Sequence, residues 1–274
     1  PCPFSAGSGL RACGSPEVVR IVTLNSWKNE GDYDRRLALM GEGLAGLDPD
    51  VVLLQEVFSS EGLDTASVLS ARLGAAVSCF PARLKRRNHL GRQVLSTSGL
   101  AMLSRAPLQT RARALTSDPM DGERIAVLAE ASGEIGLRLL NLHLSHLGGD
   151  LGRRLRARQL AEALDWAREG WAGPLLVGGD LNADLAAPEL AALAGLAAPA
   201  DALGSSLIGA ATQHGGAIDQ LALIDPSGRY RIARQFLALN TPDPEGLFPS
   251  DHAAVVLDLT GPDGPRHQMV ANPN

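Results

Sequence analysis

Asp180 and Asn182 close an apolar run, "PLLVGGDLNAD" at residues 174–184, with one residue between them. Successive side chains of an extended segment alternate faces, so a carboxylate and an amide two positions apart point the same way. A core strand gains nothing from that pair, whereas a site at the strand's end does. Four further places repeat the pattern. Asn25 follows "VTL", Glu56 follows "VVLLQ", His143 lies in "NLHLSH", and Asp251 and His252 stand in "PSDHAAVV". Each sets a metal-ligating, acid–base or amide side chain beside an apolar strand, where α–β sheets usually keep their sites. Carboxylates with amides suit a hard, oxygen-binding cation such as Mg2+. Histidines can carry a proton near neutral pH. Singly, most of these residues would be ordinary strand-end acids, turn residues or satisfied structural histidines. It is the set that points to chemistry.

The elements that must position these groups can be read from periodicity. "VVRIVTLNSW" is a β-branched run and the first core strand; "DPDVVLLQEV" is a second, ending on Gln55 and Glu56. "GLAMLSRAPL", "RIAVLAEA" and "GLRLLNLHLSH" read as strands at spacings typical of an antiparallel set, and "AIDQLALID", "RYRIARQFLAL" and "LFPSDHAAVVLDL" supply more. Leu37, Met40, Leu44 and Leu47 have helical spacing, closed by Asp48-Pro49. "LDTASVLSARLG" is a helix stopped by Gly74, residues 150–169 form the longest helix, and an Ala-rich helix is expected around 188–195. The basic stretch 83–92 follows Pro81 and reads as a loop or ragged edge. Residues 1–17 read as an arm, 18–260 as the domain and 261–274 as a tail. No repeat recurs at a fixed period, although strand pairs alternating with single helices leave room for a loose twofold architecture.

A chain of 274 residues with 45% hydrophobic and 4% aromatic content can bury a large core and fits an α–β protein. Its net charge of −5 provides no global positive field for nucleic acid or anionic lipid. Cys2, Cys13 and Cys79 make no thiolate zinc pattern. Cys2 and Cys13 could either pair in an oxidising compartment or remain free thiols in the arm. No apolar run reaches 18 residues, which argues against a membrane span. The chain begins at Pro1 without a methionine, and either a cytoplasmic or an exported location is compatible with the sequence.

The order of these motifs, an Asn, then QE, then a strand His, then GDxN, then IDxx, then SDH, resembles that of the endonuclease/exonuclease/phosphatase superfamily. That group includes deoxyribonucleases, abasic-site endonucleases, neutral sphingomyelinases and inositol polyphosphate 5-phosphatases. The resemblance runs from about residue 20 to 259. Its implied fold is α+β, a four-layer α-β-β-α sandwich of two mainly antiparallel sheets. Its implied activity is Mg2+-dependent phosphodiester hydrolysis, with Mn2+ as a substitute cation. By the same resemblance Glu56 is the main metal ligand, with Asn25 close by and Asp251 in support. Asp180 and Asn182 position the attacking water or contact the phosphate, and His252 stabilises phosphate charge or acts as acid or base. Asp219 holds that imidazole in its working tautomer. His143 matches the histidine of deoxyribonucleases and sphingomyelinases, which makes abasic-site repair the least favoured branch. Two departures stand out: Gln220 follows the IDxx aspartate where an aromatic is common, and Leu181 makes "GDLN" of the commoner "GDFN".

The resemblance leaves the substrate open among nucleic acid, phospholipid and small molecule; a monomer is expected, and a catalytically retired binding protein is the contrasting class. The acidic balance leans slightly against duplex DNA, whose binding wants several phosphate contacts. Arg83, Lys85, Arg86, Arg87 and Arg92 are the better candidates for an anionic substrate. Arg153, Arg154, Arg156 and Arg158 read as a solvated helix face. His146 and His89 stand between structural and functional roles, and His214 and His267 read as structural.

Overall fold

The structure is a computed structural model that describes residues 18–130, 136–197, 212 and 216–261. Cys2, Cys13, His214, His267 and the C-terminal tail from residue 262 lie outside the described residues. Along the first half of the chain the strands are β1 (Val18–Asn25), β2 (Val51–Ser60), β3 (Leu63–Asp64), β4 (Ala76–Phe80), β5 (Lys85–His89) and β6 (Arg92–Ser104). The second half supplies β7 (Gln109–Asp118), β8 (Gly122–Glu130), β9 (Arg138–His143), β10 (Leu175–Asp180), β11 (Asp219–Ile224), β12 (Arg231–Ala238) and β13 (Ala254–Thr260). The helices are α1 (Tyr33–Leu47), α2 (Thr65–Leu73), α3 (Gly149–Arg168) and the single turn α4 (Ala191–Ala194), the last entered through a 3-10 turn at Pro188–Leu190. Among the described residues, no helix is long and apolar enough to cross a membrane.

Two sheets carry the fold. One is ordered β12-β13-β1-β2-β6-β4, with β3 and β5 paired at its margin; the other is ordered β11-β10-β9-β8-β7. Each has a central parallel pair, β1 with β2 and β9 with β10, flanked by antiparallel strands. This is the loose twofold plan that the alternation of elements allowed. The apolar residues sort into three layers. Ile21, Leu53, Met102, Leu139, Leu176, Leu221 and Leu257 meet between the sheets. Val22, Val52, Leu54 and Leu103 face outward onto Leu37, Met40 and Leu44 of α1 and Leu69 of α2. Leu128, Leu140 and Val177 face Leu160, Ala163 and Leu164 of α3. Helix, sheet, sheet, helix is the expected four-layer α+β sandwich.

Local signals place the helix ends where expected. Asp64 caps α2 by accepting from the Ser67 amide at 2.7 Å, Gly74 ends it in the left-handed region, and Asp48 ends α1 at φ 52°. Gly179 is required where it stands: its φ is 133°, and a Cβ there would lie 1.9 Å from the Leu142 carbonyl oxygen of neighbouring β9.

Three local expectations need correction. Residues 83–92 are not a simple loop, because β5 pairs antiparallel with β6 from Lys85↔Ser96 to His89↔Arg92. Strand β2 does not stop at Glu56 but bulges there and runs on to Ser60, because Val57 and Phe58 resume core packing. Arg156 is not on a solvated face. It is buried, ion-paired to Glu189 at 2.7 Å and bonded to the Ser145 and Leu147 carbonyls, while Arg153, Arg154 and Arg158 are exposed.

Candidate active site

Alternation carries the inward stripe of each central strand to the same end of the sandwich. Ile21 and Thr23 lead to Asn25, Leu139 and Asn141 to His143, and Leu176 and Gly178 to Asp180; Asp219 begins the stripe of Leu221 and Leu223. Register does the rest. Asp180 lies opposite His143 on one side and Asp219 on the other, and Asn25 lies opposite Gln55. The "SDH" segment enters just before β13, whose antiparallel pairing with β1 returns it to this end.

The two sheets are joined there by polar contacts. Asn25 Nδ2 donates to Asp180 Oδ2 at 3.0 Å and lies 3.5 Å from His252 Nε2. His252 Nδ1 is 2.8 Å from Asp219 Oδ2, and its Nε2 faces Asp180 Oδ2 at 4.0 Å and Asp251 Oδ1 at 3.9 Å. His143 Nε2 is 3.5 Å from Asp180 Oδ2. Burial opposes protonation of His252, but the Asp219 hydrogen bond and the charges of Asp219, Asp180 and Asp251 prevail, and its pKa is pushed up to about 9. Burial and the Asp219 charge push the Asp180 carboxyl up to about 7, against His252, Asn25 and the Asn182 amide. His143 goes the other way: burial, with Arg124, Arg83, Lys28 and His252, holds it well below the usual imidazole range, so it is neutral.

Ligand atoms of Asp180, Asp219 and His252 lie within 4.8 Å of one another, a spacing a metal ion could use. The 2.8 Å contact of Asp219 with His252, and the raised pKa values, favour reading that trio as a proton-sharing network instead. Glu56, expected from the sequence as the cation ligand, lies apart from that trio. It sits at φ 54° on the β2 bulge, and its Oε1 meets the Lys28 ammonium at 2.8 Å, so a positive charge already stands against this carboxylate. Strained backbone of this kind persists only where its surroundings hold it. Here the Gln55 Nε2 donates to Asn141 Oδ1 at 2.7 Å, and Asn141 Nδ2 donates to the Leu54 and Ala101 carbonyls, each at 3.0 Å. A buried amide pair therefore bridges the sheets behind the bulge and fixes Glu56 at its lip.

The remaining expected residues are placed as follows. Asn182 is two residues beyond the end of the strand, at φ 50°; its amide donates to Asp180 Oδ1 at 2.9 Å and its Nδ2 to the Leu144 carbonyl at 3.1 Å. A turn, rather than strand alternation, sets its direction. Asn25 Oδ1 accepts from the Trp27 amide at 2.9 Å. Asp251 lies beside Ser250 Oγ, 3.4 Å away. His89 packs between the rings of Tyr33 and Phe58, a structural role. His146 binds the fully buried Asp121 through Nδ1 at 2.5 Å.

Sequence reasoning passed over three supports. Arg36 is fully buried on the inner stripe of α1 and donates to the carbonyls of Glu30, Ser26, Pro249, Trp27 and Lys28 at 2.9–3.2 Å. It ties the left-handed Trp27 and Lys28 (φ 54° and 44°) to the segment that carries His252. An arginine four residues before Met40 and eight before Leu44 on an apolar face was the available signal. Ser250 Oγ donates to the Asn25 carbonyl at 2.6 Å. Thr212 Oγ1 accepts from the Asp219 amide at 3.1 Å.

The sequence profile of the Endonuclease/Exonuclease/phosphatase family matches residues 22–252. No curated protein sequence matches the chain. Solved structures share its fold. An endonuclease/exonuclease/phosphatase family protein of Bacteroides thetaiotaomicron is 16% identical, with a TM-score of 0.68 over 92% of this chain and 99% of that one. The catalytic domain of human nocturnin, solved with a bound sulfate anion, is 20% identical, with a TM-score of 0.64 over 89% and 95%. A mannosyl-6-phosphatase of B. thetaiotaomicron is 17% identical, with a TM-score of 0.65 over 88% and 99%.

Proposed function

The chain belongs to the endonuclease/exonuclease/phosphatase family of phosphoester hydrolases, and on that premise we propose that it cleaves a phosphodiester by Mg2+-assisted attack of water. The observation that carries this reading is the convergence, at one end of the inter-sheet layer, of a strained, cation-paired Glu56 with the Asn25–Asp180–His252–Asp219 network.

The donor set fits a hard divalent cation: Glu56 offers a carboxylate, Asn25 an amide oxygen and Asp251 a second carboxylate beside His252. These three residues would hold it. When bound, such an ion screens the phosphate oxygens and the charge that develops on them.

The chain's own residues divide the remaining work. Asp180, with a pKa near the working pH, orients the attacking water and accepts its proton, since a base tuned near neutrality transfers protons most effectively. Asn25 and the Asn182 amide fix that carboxylate from both oxygens. His252, an imidazolium through the neutral range, faces the phosphate with Nε2 and stabilises its growing negative charge. Asp219 fixes the ring through Nδ1. Neutral His143, 3.5 Å from Asp180, keeps a second positive charge away from the base.

The substrate alternatives are a nucleic acid, a phospholipid and a small phosphomonoester; the likeness to a mannosyl-6-phosphatase supports keeping the last. A retired binding protein is disfavoured because every expected acid, amide and histidine is present. The test is hydrolysis of bis(p-nitrophenyl) phosphate with Mg2+, with chelator and with His252→Ala. Turnover that needs both Mg2+ and His252 is expected; turnover indifferent to either would overturn the assignment.

A further inference from the structure

Arg83 is built into the wall beside this centre with unusual care. It adopts a left-handed conformation (φ 54°), and both of its backbone polar groups are tied by side chains from other segments. Its amide donates to Glu123 Oε2 at 2.8 Å, and its carbonyl accepts from Arg87 Nη2 at 3.2 Å. Arg87 is itself fixed, donating to the Ser96 carbonyl and to Ser96 and Ser98 Oγ at 2.9–3.0 Å. The β5–β6 hairpin thus holds Arg83 as a bracket would.

What the bracket presents is an unfilled cation. The Arg83 side chain lies along Gly122, where a Cβ would come within 3.2 Å of its Nε. That Nε–H is buried and has no hydrogen-bond partner among the described residues. Its neighbour Arg124 differs: it is paired with Asp121 through two nitrogens (2.5 and 3.0 Å) and donates to the His143 carbonyl (3.3 Å). Burial and the Arg124 charge depress the Arg83 guanidinium, against the pull of Asp121 and Glu56. Two adjacent guanidinium groups, one without its hydrogen bonds, form an arrangement that an anion relieves. Arg83 touches Gly122 and Glu123, and the next residue, Arg124, donates to the His143 carbonyl, so the group stands beside the His143 edge of the centre. Lys85 adds an exposed cation at the rim.

We propose that Arg83 anchors an anion subsite beside the hydrolytic centre, which receives a substrate phosphate other than the one cleaved. The guanidinium fork matches the geometry of a phosphate, and its Nε–H with one Nη–H supplies two parallel donors. The substrate class is therefore a phosphoester carrying a second phosphate, either along an oligonucleotide or on a small bisphosphorylated molecule. This inference rests on the phosphoester reading of the main centre, and the test separates the two.

Wild type and Arg83→Met, which keeps an apolar stem against Gly122, would be compared in two ways. First, affinity for inorganic pyrophosphate would be measured by calorimetry in chelator, where no turnover is involved. A loss of about tenfold or more is expected, in line with a charge-assisted hydrogen bond. Second, kcat/KM with Mg2+ would be measured on bis(p-nitrophenyl) phosphate, on 5′-phosphorylated dithymidylate and on fructose 1,6-bisphosphate. At least a tenfold greater loss is expected on one of the doubly phosphorylated substrates than on the first, and the one affected identifies the source of the second phosphate. Arg83→Gln would be read in the same way if Arg83→Met fails to fold by circular dichroism. Unchanged pyrophosphate affinity, or equal losses on all three substrates, overturns the subsite. No turnover by wild type on any substrate, with pyrophosphate binding still dependent on Arg83, removes the hydrolytic reading and leaves the subsite standing.

Discussion

His252 Nδ1 and Asp219 Oδ2 lie 2.8 Å apart, side chains from the start of β11 and the entry to β13 that meet only where those strands converge. This contact, with the charges of Asp219, Asp180 and Asp251, raises the imidazole pKa from 6.5 to about 9 despite burial. A group whose folded pKa is raised contributes stability that is fully present below its unfolded pKa and is lost as pH rises through the folded one. The raised Asp180 acts in the same direction between 3.8 and about 7. In chelator the protein is therefore expected to lose on the order of 3 kcal/mol through the His252 contribution between pH 6.5 and 9. Asp219→Asn removes most of that slope. Urea midpoints across this range test it, and a wild-type profile as flat as the variant's would refute it.

Glu56→Ala and His252→Ala separate the metal contribution from the imidazole contribution. Each is expected to lower kcat on a phosphodiester by about 10²–10⁴, with an unchanged circular dichroism spectrum. Chelation should abolish wild-type turnover and Mg2+ restore it, with Mn2+ a partial substitute. Calorimetric Mg2+ titration should show binding lost in Glu56→Ala and kept in His252→Ala. Binding retained by Glu56→Ala would move the cation to the Asp180–Asp219–His252 trio.

Asn141→Ala deletes the amide that bridges the sheets. It removes one of the three acceptors of the Gln55 amide and the side-chain donor to the Leu54 and Ala101 carbonyls, all buried. Removing the partner of a buried polar group costs about 1–3 kcal/mol, so a stability loss of that size is expected by denaturant titration. Because the bulge loses its backing, apparent Mg2+ affinity should weaken too, although Asn141 is not among the expected ligands. An unaltered affinity would show that the bulge holds Glu56 without it.

Arg36→Met keeps the stem on α1 and removes five donors to main-chain carbonyls. It also removes the guanidinium stacked 4.6 Å from the Trp27 ring centroid. A loss of about 3 kcal/mol or more follows from leaving several buried acceptors unpaired. Hydrogen exchange should localise the opening to residues 26–30 and 249–252. Uniform exchange across the sheets would place the role of Arg36 elsewhere.

Much of the candidate site was legible because each contributing strand carries its polar side chain in phase with its apolar stripe. Asn25, His143, Asp180 and Asp219 continue the inward positions of their own strands, and a period of two is a property of sequence alone. The order of the motifs, set on a run of strands and helices, was enough to indicate the family and its four-layer α+β sandwich.

The tertiary structure decided everything that depends on residues far apart in the chain. Glu56 reads as a strand-end acid, but it is presented by a bulge that Asn141 backs from the other sheet, 86 residues from Gln55. Arg156 reads as a surface cation on a helix and Arg36 was passed over, but their carbonyl and carboxylate partners lie up to 213 residues away. Arg83 reads as one member of a basic stretch, but only the β5–β6 hairpin and Gly122 of β8 single it out as the buried, unfilled donor. Periodicity reports which face a side chain takes on its own element. Which partners satisfy it depends on how the elements pack, and that appears only once the chain has folded.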